Sequence, residues 1–584
     1  MRNFHVSGGL DITMQKLAVV RNEAASQLLV TGLDSPDPTI REKSLATLLR
    51  RRSPSGHAEV LRRWPKFESR SRSILLENAG RLQEALRNAL VGKDSNLFSI
   101  ACDCLLEFRE YDLVPTLINA AESEGSSNSK RAAATILRLT ELLYEELAGG
   151  DNARRRDPQL IRNSIVNSLE ASVRKFSRHL HAEIVEAFLL LVNRDNSVLR
   201  ELLHDPYAKI YLEITSRLTH SPRSGVMRLL LSFLEDATAP TSIVQVFGYR
   251  KDPTFVRHWL KKVGFEPSTT AKTHLKRIHS IAWLRDDYAL LDSFDDAGQH
   301  ASVQITIHSA IPQAEAFPVI RHLLLQGKPG GRRAAAKALA TFRGAEANSL
   351  AISALNDADA LVQAAIVPQL RDRNLPGALT RLIELIDSPH SPVRDAARGS
   401  LVEFTYRRFS ASFDMLDDEV RRSTGRLVRK VDPQAIPALQ AEMKAKARGR
   451  RLRSLMMVSA MQCAKDLEED VLLLLKDEDH LVRAAAAQAL SACSTEKTLI
   501  ALREALLDRS VTVQQAAEES LLILSGQGTG KGDEQLELLN HLMQLARREG
   551  EVPIGPFGES ESPHSPIEAW EKNPMDDLAE ENRS

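Results

Sequence analysis

Aromatic residues are scarce in this 584-residue chain, at 5%. Alternating apolar and polar runs that would mark half-buried strands are missing as well. With Ala, Leu, Glu and Arg abundant, the composition fits an all-helical protein. Cysteine is nearly absent. Cys102, Cys104, Cys463 and Cys493 are too few and too badly spaced for a disulfide framework, and Cys102-x-Cys104 lacks the spacing of a redox or zinc pair. Buried free thiols in a reducing compartment are therefore expected. No run of 18 apolar residues occurs, so no membrane span is expected. Met1 to Gln15 is polar and glycine-containing, so no signal peptide is expected, and a cytoplasmic location is the default. Neither sign of charge dominates: 77 basic residues face 77 acidic ones. Net charge thus predicts affinity for neither nucleic acid nor membrane.

What the chain does have is a recurring phrase. Helical residues lead to an aspartate, a short break follows, and then an apolar residue, a polar hook and small residues. Copies start at Asp357, Asp387, Asp477 and Asp508, with hooks at Gln363, Arg394, Arg483 and Gln514. Neighbouring copies lie about 30 residues apart, the mark of a stacked repeat array. In the clearest unit, a first helix with Leu379, Leu382, Ile383 and Ile386 ends at Asp387. The turn Ser388-Pro389-His390-Ser391-Pro392 follows, where Ser391 is expected to cap the second helix and Pro392 to occupy its first turn. The alanines after each hook allow close helix approach.

The turn aspartate, the Val-Arg or Val-Gln pair and the following alanines resemble the short form of the HEAT-repeat family. The resemblance is strong from Ile311 to Leu524 and recognisable from Met14 to Phe108, where Asp34-Ser35-Pro36 repeats the turn at 387 to 389 and Arg41 repeats its hook. It implies an all-α fold, an alpha-alpha superhelix of the HEAT/armadillo-like kind with a flexible C-terminal tail. It also implies a ladder of charges between adjacent repeats, which makes Asp357, Asp387, Arg394, Asp477, Arg483 and Asp508 structural residues.

Five segments are expected. Residues 1–111 hold N-terminal HEAT-like repeats, 112–310 divergent helical pairs and 311–524 regular repeats. Residues 525–549 comprise a glycine-rich linker and an amphipathic capping or docking helix bearing Leu536, Leu539, Leu542, Met543 and Ala546. Residues 550–584, with nine acidic residues from Glu551 on against Lys572 and Arg583, form an acidic tail expected to be disordered.

Candidates for chemistry fail on spacing. Gly526 to Gly532 is not a phosphate loop, because Ser525 and Gly532 stand where glycine and Ser/Thr are required. His179-x-His181 is expected to point two ways on a helix, and His274 and His279 are off the i, i+4 geometry. Deoxyhypusine hydroxylase, a similar repeat enzyme, binds iron through His-Glu dipeptides, and no histidine here precedes glutamate. Catalytic residues, cofactors and metals are therefore expected to be none.

Two basic regions remain. Trp259, Trp283, Asp286 and Asp287 beside Arg257, Lys261, Lys262, Lys276, Arg277 and Arg285 would suit a nucleic-acid-binding protein, possibly DNA glycosylase-like. The tract from Arg407 to Arg453 includes Arg422, Arg426 and Arg429 at helical steps, then Arg450 and Arg451. The favoured reading is a non-enzymatic scaffold or adaptor binding an unknown protein partner. Arg422, Arg426, Arg429, Arg450 and Arg451 are its expected contact residues, on inner helices lining a concave wall. Nucleic acid is the less favoured partner, and no membrane is expected.

Overall fold

A computed structural model describes residues 7–123, 125–149, 157–285 and 288–526. All regular structure among them is helical: 35 α-helices and ten short 3-10 turns. The segment from 527 onward, which includes the expected docking helix and acidic tail, lies outside the described residues.

The helices form two units, Met1–Ala338 and Leu339–Ser584. The division falls inside the stretch read from sequence as regular repeats. Within each unit, consecutive helices pair and pairs stack. In the first, Ala24–Leu33 packs on Pro38–Arg51, and Ala182–Leu191 packs on Ser129–Gly149. In the second, Asp418–Val431, Arg448–Met461, His480–Ala489 and Val511–Leu524 pack in series, and Ala435–Met443, Glu468–Leu474 and Glu496–Ala505 pair with them. One apolar core runs through this unit from Val367 to Ala517.

Small side chains set the spacing. Ala484, Ala485, Ala486 and Ala487 are all fully buried between neighbouring helices. At Gly425 the approach is closer still, since a Cβ there would stand 2.8 Å from the carbonyl oxygen of Ala460. Each pair is joined by a turn whose polar groups are answered locally. The helix starts at Pro38, Ser95, Ala360 and His480 are capped by Asp37, Asp94, Asp359 and Asp479, whose side chains accept backbone N–H groups. Ser391 departs from expectation. His390 occupies the cap position without a side-chain cap bond, and the Ser391 hydroxyl donates to Asp395 at 3.2 Å instead. Ser391 already lies inside the helix, one residue too late to cap it. Pro392 sits in the first turn as expected.

Gly425→Ala should therefore destabilise this unit by about 1–3 kcal/mol through overpacking, even though alanine is favoured in a helix by about 1 kcal/mol. Urea denaturation checks it; a stabilised variant would show that the two helices have room to separate.

Candidate interaction surface

The recurring hook has a definite task. Arg41 donates through Nη1 to the carbonyl oxygens of Ser35 and Pro36, both at 3.0 Å. Far along the chain Arg394 does the same to Ser388 and Pro389, at 2.9 and 3.0 Å. Arg451 holds Ala445 and Lys446, at 3.1 and 2.8 Å. Arg483 holds Asp477 and Glu478, at 2.9 and 3.0 Å. Gln363 and Gln514 reach one such carbonyl each, those of Asp357 and Asp508, at 2.7 and 2.6 Å. A turn past a helix end leaves carbonyls without a helical partner, and the hook supplies donors to them.

Arginine does a second thing that glutamine cannot. The fork of Arg483 also meets both carboxylate oxygens of Asp508 in the next repeat, at 2.8 and 2.9 Å. Arg451 does so with Asp477, Nη2 donating at 2.9 Å and Nε lying 2.8 Å from the other oxygen. Arg448 adds a contact to Asp479 at 3.1 Å. The Arg483 guanidinium holds the Asp508 carboxyl below its ordinary range, and Asp508 in turn raises Arg483. Burial pushes the Asp479 carboxyl up, but Arg448 and the N–H groups of Leu481 and Val482 outweigh it and leave it lowered.

Asp357 accepts the N–H of Asp359 at 2.7 Å, as Asp477 and Asp508 accept those of Asp479 and Ser510. Asp387 and Arg394 behave differently from Asp477 and Arg483. Asp387 is mostly exposed and meets Lys430, not a hook arginine. The reason lies one repeat earlier, where the hook is the uncharged Gln363. Arg394 holds its own turn but meets no carboxylate within ion-pair distance among the described residues.

Arg451, expected to bind a partner, needs correction. It is 8% exposed and wholly engaged in the joint between repeats. Its neighbour Arg450 points outward but forms a bidentate pair with Glu442, at 2.6 and 2.7 Å. That pair lowers the Glu442 carboxyl and raises Arg450. Arg429 meets Asp466 at 2.8 Å and also donates to the Gln462 carbonyl. Arg426 is exposed and donates weakly to the Arg422 carbonyl, at 3.4 Å. Half-buried Arg422 donates similarly to Asp418. Arg407 and Arg408, both exposed, lie on Tyr406–Ser412, which packs on the same Asp418–Val431 helix. Sequence reasoning placed these two within the basic tract but did not single them out.

The aromatic cluster of the first unit is core. Trp259 is fully buried and Trp283 nearly so, and they join Phe247, Phe255 and Phe294 in ring contacts 5.4 to 6.5 Å apart. They present no stacking face for a base, contrary to what the glycosylase-like reading requires. Asp286 and Asp287 lie outside the described residues. Arg285 pairs with Glu315 at 2.8 Å, whereas Arg257, Lys261, Lys262 and Lys276 are exposed.

His179 and His181 also differ from expectation. Leu180 adopts a left-handed φ of 55°, and this break stacks the two rings 5.5 Å apart. Both act locally: Nδ1 of His179 accepts the His181 N–H, and His181 Nε2 lies 2.6 Å from the Ser129 hydroxyl. No group of three His, Cys, Asp or Glu among the described residues is placed to hold a metal. All four cysteines are free and buried, and burial pushes the Cys463 thiol up to about 12 and Cys493 to about 11.

Residues 317–402 and 433–522 match the family model for HEAT repeats. This part of the chain is built of HEAT repeats. The fold of this part is accordingly an alpha-alpha superhelix of the HEAT/armadillo-like kind, with the hook and ladder as the joints between HEAT repeats. No curated protein matches the sequence. Among solved structures, an engineered protein is 17% identical, with 86% of this chain and 98% of that one covered and a TM-score of 0.16. Kap121p is 14% identical with a TM-score of 0.23, and 92% of this chain spans 55% of its length. A structure from work on a phosphorylation switch controlling the interaction between cadherin and beta-catenin is 13% identical, covers 89% of this chain and 98% of that one, and has a TM-score of 0.23. Likeness at these values carries no functional argument.

Two outcomes separate joint from surface. Arg451→Ala should cost on the order of 3 kcal/mol, because it strands the Asp477 carboxylate, whose side chain is 9% exposed, whereas Arg450→Ala should cost under about 1 kcal/mol. Equal urea midpoints for the two variants would show the joint to be energetically idle. The lowered Asp508 carboxyl makes its contribution present above the unfolded value near 3.9, and lost as pH falls through the folded value. The stability gap between the wild type and Asp508→Asn should therefore shrink as pH drops from 6 toward 2, as chemical denaturation at each pH would report.

Proposed function

We propose that this protein is a non-enzymatic scaffold that binds an acidic segment of a partner protein on the Asp418–Val431 helix and its neighbour Tyr406–Ser412. The observation that carries this reading is the contrast among the arginines. Arg429, Arg450, Arg451 and Arg453 are held by carboxylates. Exposed Arg426, in contrast, has only a weak bond to a backbone carbonyl among the described residues, and exposed Arg407 and Arg408 lie on the helix packed against its own. Cations left with hydration as their main partner attract an opposite charge at long range and set specificity at contact. The proposed contact set is therefore Arg426, Arg407 and Arg408, with Arg429 and Arg450 able to exchange partners at the rim. Buried free thiols support a reducing compartment, and we place the protein in the cytoplasm.

The test combines Arg407→Glu with Arg426→Glu in the full chain. Affinity for a fluorescent Asp/Glu-rich peptide at low salt should fall at least tenfold, since two lost ion pairs of about 1 kcal/mol each suffice for that. Proteins captured from the source cells should be lost in parallel. An unchanged partner set with unchanged peptide affinity would overturn the surface assignment. Binding of single-stranded DNA with a steep salt dependence, and none of the peptide, would favour the nucleic-acid reading instead.

A further inference from the structure

Three helices of the first unit meet at the corner formed by His179 and His181. His181 Nε2 lies 3.0 Å from the Ala121 carbonyl, near the C-terminal end of Val114–Glu122. The same nitrogen lies 2.6 Å from the hydroxyl of Ser129, which starts the helix Ser129–Gly149. His181 itself holds the cap position of Ala182–Leu191. One imidazole therefore ties two helix ends to the start of a third, and His179 holds the backbone that presents it.

The bonds of His179 fix its protonation. Nε2 lies 3.2 Å from the Ser172 carbonyl, which can only accept, so Nε2 carries the hydrogen. Nδ1 lies 3.0 Å from the backbone nitrogen of His181, which can only donate, so Nδ1 is bare. Both nitrogens are committed, and the ring is neutral in one tautomer. A proton added at Nδ1 takes the acceptor from the His181 N–H and sets two N–H groups against each other. It also places a positive charge beside the His181 ring, stacked 5.5 Å away. Leu180 between them holds a left-handed φ of 55°, a strained conformation for leucine that persists only while its surroundings enforce it. We propose that this corner is a proton-sensitive joint, in which protonation of His179 releases Leu180 and His181 and with them the ties to Ala121 and Ser129.

Two helices pack on the short helix Phe176–His179. Val114–Glu122 brings Glu122, which pairs with Lys175 at 3.0 Å, and the two act on His179 with opposite sign. Lys209–His220 brings Lys209, His220 and the mutual pair Glu213 and Arg217. Arg178 on the short helix, Lys130 and Arg131 after Ser129, and Glu183 after His181 are the other charged groups at the corner. No carboxylate among the described residues lies within hydrogen-bond distance of His179 to hold it charged. Burial lowers the His179 value, and His181 adds to that against the opposing bond to Ser172. A histidine lowered on folding gives stability that is complete above its unfolded value near 6.5 and lost as pH falls from there through the folded value. The joint is thus closed at pH 7.5 and loosened near pH 5. This inference is independent of the acidic-partner surface, which lies in the second unit.

Backbone hydrogen exchange of the full chain, corrected for its intrinsic pH dependence, tests the joint. From pH 7.5 to 5.0, protection in the wild type should fall about tenfold around His181 and at the start of Ser129–Gly149, the size of one lost hydrogen bond. The helix Asp418–Val431 should stay within about twofold over the same range. In His179→Asn the carboxamide oxygen stands in for Nδ1 and does not titrate, so protection should be the same at both pH values. If that variant is unprotected at both, titration of His179 in the wild type, read by exchange at its imidazole C2, decides alone; the expected midpoint lies below about 6.5. Unchanged wild-type protection, an equal loss in Asp418–Val431, a loss in His179→Asn as large as in the wild type, or a His179 midpoint at or above the ordinary value would each overturn the proposal.

Discussion

The joint between repeats depends on one contact, a helix-borne donor reaching back over the preceding turn to its carbonyl oxygens. Past the end of the first helix those carbonyls have no helical partner, and the turn is only partly covered. Arg41, Arg394, Arg451 and Arg483 each satisfy two of them with one nitrogen. The guanidinium has donors left over, and in Arg451 and Arg483 these meet an aspartate of the next repeat. A local solution for unpaired backbone carbonyls thereby becomes the register between repeats. Where Gln363 replaces arginine the local bond survives, and Asp387 of the next repeat turns to Lys430.

This arrangement shapes what the surface can do. Most charges in the basic tract are neutralised by partners that only folding brings near. Glu442 lies eight residues before Arg450, and Asp466 lies in the turn after Arg448–Met461, two helices beyond that of Arg429. The cationic surface that remains is narrower than the tract and centres on Arg426, Arg407 and Arg408. The same logic removes the tryptophans of the first unit from consideration. Their rings fill the space between helices, where burying aromatic area stabilises packing, and a base has no access to them.

Much of the fold was legible in the sequence, because repetition reports itself. Helical periodicity, the turn aspartate and the alanine run recur, and each recurrence limits the others. The match between Arg41 and Arg394, in turn geometry as well as in sequence, shows how closely the phrase encodes the joint. Legibility failed where a residue's role depends on which neighbour faces it. Arg450 and Arg451 are adjacent and chemically identical, and one helical step of about 100° sends one outward and the other into the joint. His179 and His181 were read as part of a continuous helix, but the left-handed Leu180 breaks it and stacks them.

The sequence by itself determined that this chain is helical, that it is built of repeats and where those repeats turn. Periodicity and turn chemistry are local, and about 30 residues suffice to state them. Only the tertiary structure decided which charges remain free for a partner, because pairing is a property of distance in space. It also decided that His181 meets Ala121 and Ser129 at one corner, since no local pattern records which helix ends a turn will face.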